Sequence, residues 1–203
     1  MATAAHLLDI ARAELGNKES PAGSNKVKYS SWYGLTGPWC VMFVMWCCHY
    51  AGVELPILTA SCSALRASAQ SAGMWVTGDY RPGDVVVYDW GKDGAPDHCG
   101  IVETAGGASV VSIEGNTSVG NDSNGGEVMR RTRTTSQIIG AVRPKFEEVT
   151  ATESAETQAA QKWAQNAGIM TGYADGQMHL DNTVTRRQLL LVLYRFAKWL
   201  GKA

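Results

Sequence analysis

The sequence predicts an α+β protein followed by a small α-helical C-terminal domain. Three observations carry that prediction. Apolar residues recur at helical spacing as far as Gly73, and the texture then changes to period-two strands set between turns. Helices grouped ahead of antiparallel strands make a segregated α+β domain rather than an alternating one. Past Pro144 the hydrophobic period disappears over an acidic, Thr-rich stretch and returns as helical pattern near the C-terminus.

Residues 3–15 read as the first helix, with Leu7, Leu8, Ala11 and Leu15 on one face and Gly16 at its end. Residues 17–38 read as a polar loop carrying Tyr29, Trp32 and Tyr33. Glu19, Asn25 and Tyr29 could offer oxygens to a hard cation such as calcium, but no D-x-D-x-D-G pattern supports it. A solvated loop is the plainer reading, and no cofactor is required.

The run GPWCVMFVMWCCHYAG, residues 37–52, organises the domain. Gly37-Pro38 makes a turn, and proline disfavours helix at the residue before it. The helix therefore begins at Trp39 or Cys40 and ends at Gly52, the residue best suited to a left-handed cap. Cys40 falls in the first turn, where unpaired N–H groups and the positive end of the macrodipole favour a thiolate. The segment is apolar nearly all round, as a core helix is. Cys40 is thus a candidate nucleophile or, equally, one more small apolar core residue.

Residues 60–72 form another helix. Arg81-Pro82-Gly83-Asp84 is a turn launching a strand over 85–90, and strands at 98–104 and 108–114 flank Ala105-Gly106-Gly107. A hairpin symmetric about Gly106 puts His98 directly opposite Glu114, with Cβ atoms about 5 Å apart. Asn116 lies just past the strand end. Carboxylate and carboxamide beside an imidazole orient it and raise its basicity. A plain cross-strand His–Glu pair is the alternative, and a one-residue slip breaks the pairing. The Gly- and Asn-rich stretch 115–126 reads as a loop over this site, and strands follow at 127–133 and 138–143.

The net charge of −1 gives no electrostatic case for nucleic acid or an anionic membrane surface. No apolar run is long enough to insert in a membrane. The N-terminal stretch lacks a basic region and reads as an amphipathic helix, so the expectation is synthesis in the cytoplasm without a signal peptide. Five cysteines is an odd number, which argues against a disulfide framework. With no C-x-x-C pair, and Cys47 and Cys48 about 100° apart around a helix, no metal site is expected either.

Residues 1–144 resemble a CHAP domain, the cysteine, histidine-dependent amidohydrolase/peptidase family of peptidoglycan hydrolases. The resemblance rests on the helix-opening PWC at Cys40, the Arg-Pro-Gly-Asp turn, D-H-x-G-I-V at His98 and I-E-G-N-T at 113–117. It implies a papain-like fold, N-terminal helices packed on a five- to six-stranded antiparallel sheet. It also implies Cys40 as nucleophile, His98 as general base and acid, Glu114 as the residue orienting His98, and Asn116 as a polar partner near the acyl site.

Residues 145–157 read as a linker, and 158–203 resemble a single S-layer homology repeat. That resemblance rests on the stretch Ala164–Gly176 and on V-T-R-x-Q at 184–188. It implies binding to a secondary cell-wall polymer through Tyr173, Asp175 and Arg186. Such repeats normally occur in threes, so with one copy polymer binding requires copies to associate, and a homotrimer would restore the arrangement; the alternative is that Arg186 merely stabilises the repeat. The whole then resembles a bacteriophage endolysin that cleaves an amide bond of peptidoglycan after release at host lysis. N-acetylmuramoyl-L-alanine amidase is favoured over a stem or cross-bridge endopeptidase. The alternatives are a non-catalytic wall-binding or adhesion module, and a cellular autolysin or amidase effector.

Overall fold

The computed structural model describes residues 2–147, 155–169 and 186–201, and the chain divides into two compact units, Met1–Glu148 and Val149–Ala203. The first unit is α+β, as expected. Four helices, α1 (Ala4–Ala13), α2 (Lys28–Tyr33), α3 (Cys40–Ala51) and α4 (Cys62–Ser71), precede the main strands. Six strands, β1 (Trp75–Val76), β2 (Val85–Tyr88), β3 (His98–Gly106), β4 (Ser109–Thr117), β5 (Glu127–Thr134) and β6 (Ile138–Val142), form one sheet in the order β1-β6-β2-β3-β4-β5. Every neighbouring pair is antiparallel.

Local chemistry sets the helix ends. Thr3 caps α1 by accepting from the His6 amide, and Ser61 caps α4 by accepting from Ala64. Gly52 closes α3 at φ +68, a left-handed position that a β-carbon disfavours. The main core lies between the helices and one sheet face. Leu7, Phe43, Val44 and Leu65 meet Val85, Val87, Ile101 and Ile113 there, all fully buried. The opposite face carries a smaller cluster of Val86, Tyr88, Val102 and Ala141.

Two elements were not expected. The short helix α2 lies inside the predicted polar loop, anchored by Tyr29, whose ring stacks on Trp39 at 5.3 Å and meets Phe43 edge-on at 5.2 Å. Strand β1 is only two residues long and pairs with the end of β6. The hairpin also turns later than predicted, at Gly107-Ala108 instead of about Gly106. Gly106 pairs with Ser109, and an irregularity between Val102 and Thr104 moves the register back by one. The bulge residue, Glu103, points away to Arg12 and Arg130.

The second unit contains α5 (Ala155–Asn166) and α6 (Arg186–Trp199). Within it Trp163 meets Trp199 edge-on at 5.5 Å, and Phe196 stacks on Trp199. Of the predicted stripe on α6, Leu189, Leu193, Phe196 and Leu200 are exposed. No helix among the described residues is long and apolar enough to cross a membrane.

Candidate active site

Cys40 is the first residue of α3, as the sequence predicts, and its thiol is buried. The helix tip is pressed onto β4 at Gly115, where a β-carbon would lie 2.5 Å from Phe43 Cβ and 2.8 Å from Trp39 Cζ3. Only glycine admits that approach. Trp39, fully buried, is fixed from the other side by donating from Nε1 to Glu19 Oε1 at 2.8 Å.

His98 opens β3 and Glu114 lies near the end of β4; both are fully buried. They meet, with Nε2 3.2 Å from Glu114 Oε2, but not as directly opposed residues. With the later turn and the bulge, Ile101 faces Ile113, which sets Glu114 against Gly100 and makes the His98–Glu114 contact diagonal. Glycine at position 100 leaves the space, since a β-carbon there would sit 2.6 Å from Glu114 Cγ. The predicted register is therefore corrected, while the two side chains still come together.

Charge reinforces the arrangement. Hydrogen bonds from the Cys62 and Cys99 thiols, with the nearby His98, hold the Cys40 pKa well below the ordinary thiol range, against the effect of burial. Burial lowers the pKa of His98, but Cys40 and Glu114 outweigh it and carry it to about 9. Burial likewise raises Glu114, and Arg133 and His98 overcome it, holding the carboxyl at about 2. A thiolate beside an imidazolium backed by a carboxylate is the charge state of an activated cysteine nucleophile.

Residues 32–116 match the family model of the CHAP domain. The match contains Cys40, His98, Glu114 and Asn116. The α+β sheet-and-helix architecture described above is consistent with the papain-like CHAP fold. Among solved structures, the crystal structure of Ly7917 is similar at 19% identity with a TM-score of 0.45, covering 70% of this chain and 62% of that one. The crystal structure of Ly7917 with the hydrolyzing product of MDP is similar at 18% identity and a TM-score of 0.41, covering 70% and 63%. The chain thus spans less than two thirds of the length of Ly7917. No curated protein matches the sequence.

The residues that sequence reasoning missed surround this CHAP-like centre. Arg133 grips Glu114 with two hydrogen bonds, Nε to Oε1 at 3.0 Å and Nη2 to Oε2 at 2.6 Å, and reaches on to Asp122 at 2.9 Å. It lies beyond the matched segment, on β5. Ser112 Oγ donates to Glu114 Oε1 at 2.6 Å and is itself bonded to the Tyr88 hydroxyl. Tyr88 and Trp90 stack on the imidazole of His98 with centroids 6.1 and 6.0 Å away. The Arg133 guanidinium lies 4.7 Å from the Trp90 ring. The one available signal was strand alternation, which puts Arg133, Ser112 and Glu114 on one face once the register is known.

Asn116 is fully buried at φ +61. Its amide donates to Asn124 Oδ1 at 3.1 Å and accepts from the Gly126 amide at 3.2 Å, so it clamps the loop 118–126. None of these bonds reaches Cys40 or His98. Among the suggested calcium donors, Tyr29 instead donates its hydroxyl to Glu14 at 2.5 Å. Glu19 Oε2 and Asn25 Oδ1 are buried without a protein partner. Tyr173 and Asp175 lie outside the described residues, as does the Arg186 side chain.

Proposed function

We propose that this chain is a cysteine-dependent peptidoglycan hydrolase that cleaves an amide bond. The observation that carries this reading is the buried His98, 3.2 Å from a carboxylate that Arg133 keeps ionised, with Cys40 buried at the tip of α3 and near enough to help raise the His98 pKa. The Cys40 thiolate attacks the carbonyl carbon, and His98 gives its proton to the departing amine. Water then attacks the thioester with His98 as base, restoring the thiolate and imidazolium. Main-chain N–H groups at the start of α3 face the developing oxyanion.

In this reading N-acetylmuramoyl-L-alanine is the favoured bond, and the second unit is an S-layer-homology-like repeat that holds secondary cell-wall polymer. A wall-cleaving unit joined to a wall-binding one suits an endolysin that acts on the wall after release. Association through the repeat, as a trimer, is supported by the exposed Leu189, Leu193, Phe196 and Leu200 of α6. Sedimentation at rising concentration tests it; a monomer throughout would refute the trimer.

Turbidity loss of purified Gram-positive walls, compared between wild type and Cys40→Ala, tests the chemistry. Loss of at least about a thousand-fold is expected in the variant. Mass spectrometry of the products should show new amino termini on alanine with intact stem peptides. Cut stems would mean an endopeptidase, and equal clearing by both proteins would overturn the nucleophile. Retained wall binding with no lysis by wild type would favour a non-catalytic binding module.

A further inference from the structure

We propose that Cys40, Cys62 and Cys99 together form a binding site for a thiophilic d10 cation, which silences the nucleophile while bound. The three sulfurs all lie within 4.8 Å of one another, and Cys40 Sγ is 4.0 Å from Cys62 Sγ. A tetrahedral zinc thiolate centre, with bonds of about 2.3 Å, spaces its sulfurs about 3.8 Å apart. The thiols therefore sit at or just outside ligand spacing, and small side-chain rotations close the gap.

Three different elements supply them. Cys40 is the first residue of α3, Cys62 the first of α4, and Cys99 the second of β3. All three are free thiols. No sequence spacing could announce such a site, because the fold alone brings the sulfurs together. Cys99 is fully buried and makes the floor, whereas Cys40 and Cys62 keep 6% and 9% of their surface exposed. A cation can thus enter over the outer pair, and water completes the fourth position on that side. Soft thiolates favour Zn2+, Cd2+ or Cu+ over calcium or magnesium.

Binding conserves atoms and charge. Zn2+ takes the place of the Cys62 and Cys99 thiol protons and binds the Cys40 sulfur as thiolate. Three zinc–sulfur bonds form, two protons leave, and no electron moves. The sulfur that would attack substrate becomes a metal ligand. Only the silencing half of this proposal rests on the hydrolase reading; the binding half stands alone.

The test uses the full chain, kept reduced with a phosphine and stripped of metal. Zn2+ is titrated against a chromophoric chelator, and Co2+ is used as a spectroscopic probe of thiolate coordination. The expected result is one thiolate-bound metal per chain with a cobalt charge-transfer band of three-thiolate intensity. Cys62→Ser and Cys99→Ala should each weaken zinc by at least the 10–100-fold lost when outer ligands' partners are removed. Cys48→Ala, a buried thiol outside the cluster, should leave it unchanged. Absence of the thiolate band in the wild type would overturn the site without any variant, and so would unchanged affinity in both cluster variants. Wall clearing that continues with zinc bound would overturn the silencing. Zinc bound through thiolates to a metal-free protein that never clears walls would uphold the site and refute the hydrolase.

Discussion

Gly100→Ala tests the diagonal contact on which the basicity of His98 depends. The added methyl would meet Glu114 Cγ at 2.6 Å, the Ile113 carbonyl oxygen at 3.2 Å and Ser112 Cβ at 3.3 Å. Relaxed carbon contacts need about 3.5–4.0 Å. Glu114 cannot simply swing away, because Ser112 and both arms of Arg133 hold its two oxygens. Either the carboxylate is pushed off His98 or β3 lifts from β4, at a cost of about 1–3 kcal/mol. His98 is raised from its ordinary 6.5 to about 9, roughly 3 kcal/mol in favour of the imidazolium. Cys40 and Glu114 supply that against burial, so losing the Glu114 share lets burial pull the value down. A raised histidine keeps its proton below its folded pKa, and lowering that pKa makes it lose the proton at lower pH. The alkaline limb of kcat/KM for wall clearing should accordingly move down by about one pH unit or more. Urea unfolding in parallel separates the stability cost from the electrostatic one. An alkaline limb that stays in place despite lost stability would refute the role given to the Glu114 contact. Undiminished stability would refute the close packing itself.

Arg133→Met should cost about 3–5 kcal/mol in urea unfolding, because it strands a buried carboxylate, and it should raise the Glu114 pKa now held at about 2. Unchanged stability would mean that water already reaches Glu114. Glu114 is depressed on folding, so its contribution is present above its ordinary 4.5 and fades as pH falls towards 2. The urea midpoint should fall across that window, and less steeply in Glu114→Gln; equal slopes would contradict the assignment. Glu103, also depressed, is held by the half-exposed Arg12 and Arg130 and adds a smaller, solvent-screened share. Trp90→Ala removes the stack on His98 and the Nε1 hydrogen bond to Ser123. Hydrogen exchange at the Asn124 amide should accelerate, with the loop 118–126 loosened; unchanged protection would show that Asn116 alone holds it.

The helix α3 was legible because its boundary signals are local: Gly37-Pro38 before it and Gly52 after it. The grouping of helices ahead of strands was legible too. The hairpin register was not. A run of Ala105-Gly106-Gly107 offers more than one place to turn, and the later bulge, where Glu103 pairs with Arg12 and Arg130, has no local signal either. His98 and Glu114 were found by a symmetry that the fold does not use, and they meet because Gly100 stands between them. Arg133 could not be singled out, since Arg130 and Arg131 look alike in sequence: Arg130 lies on the other face of β5, and Arg131, on the same face as Arg133, reaches Asp122 but not Glu114. Helix α2 was hidden because its six residues carry no strong period and depend on aromatic packing against α3. The sulfur cluster was invisible for the same reason: proximity across α3, α4 and β3 has no sequence spacing.

The ion pairs around the site form a row of alternating sign: the Cys40 thiolate, His98, Glu114, Arg133 and Asp122. The first four members are buried, whereas Asp122 is 43% exposed on the loop and also pairs with Arg131. Asp122 is therefore the row's most exposed member, the one that dissolved ions screen most. Any contact that buries Asp122 would remove that screening, and the change would be felt, attenuated at each link, in how firmly His98 holds its proton. Contact at the loop and proton affinity would then be joined through a surface acid that never touches the reacting bond.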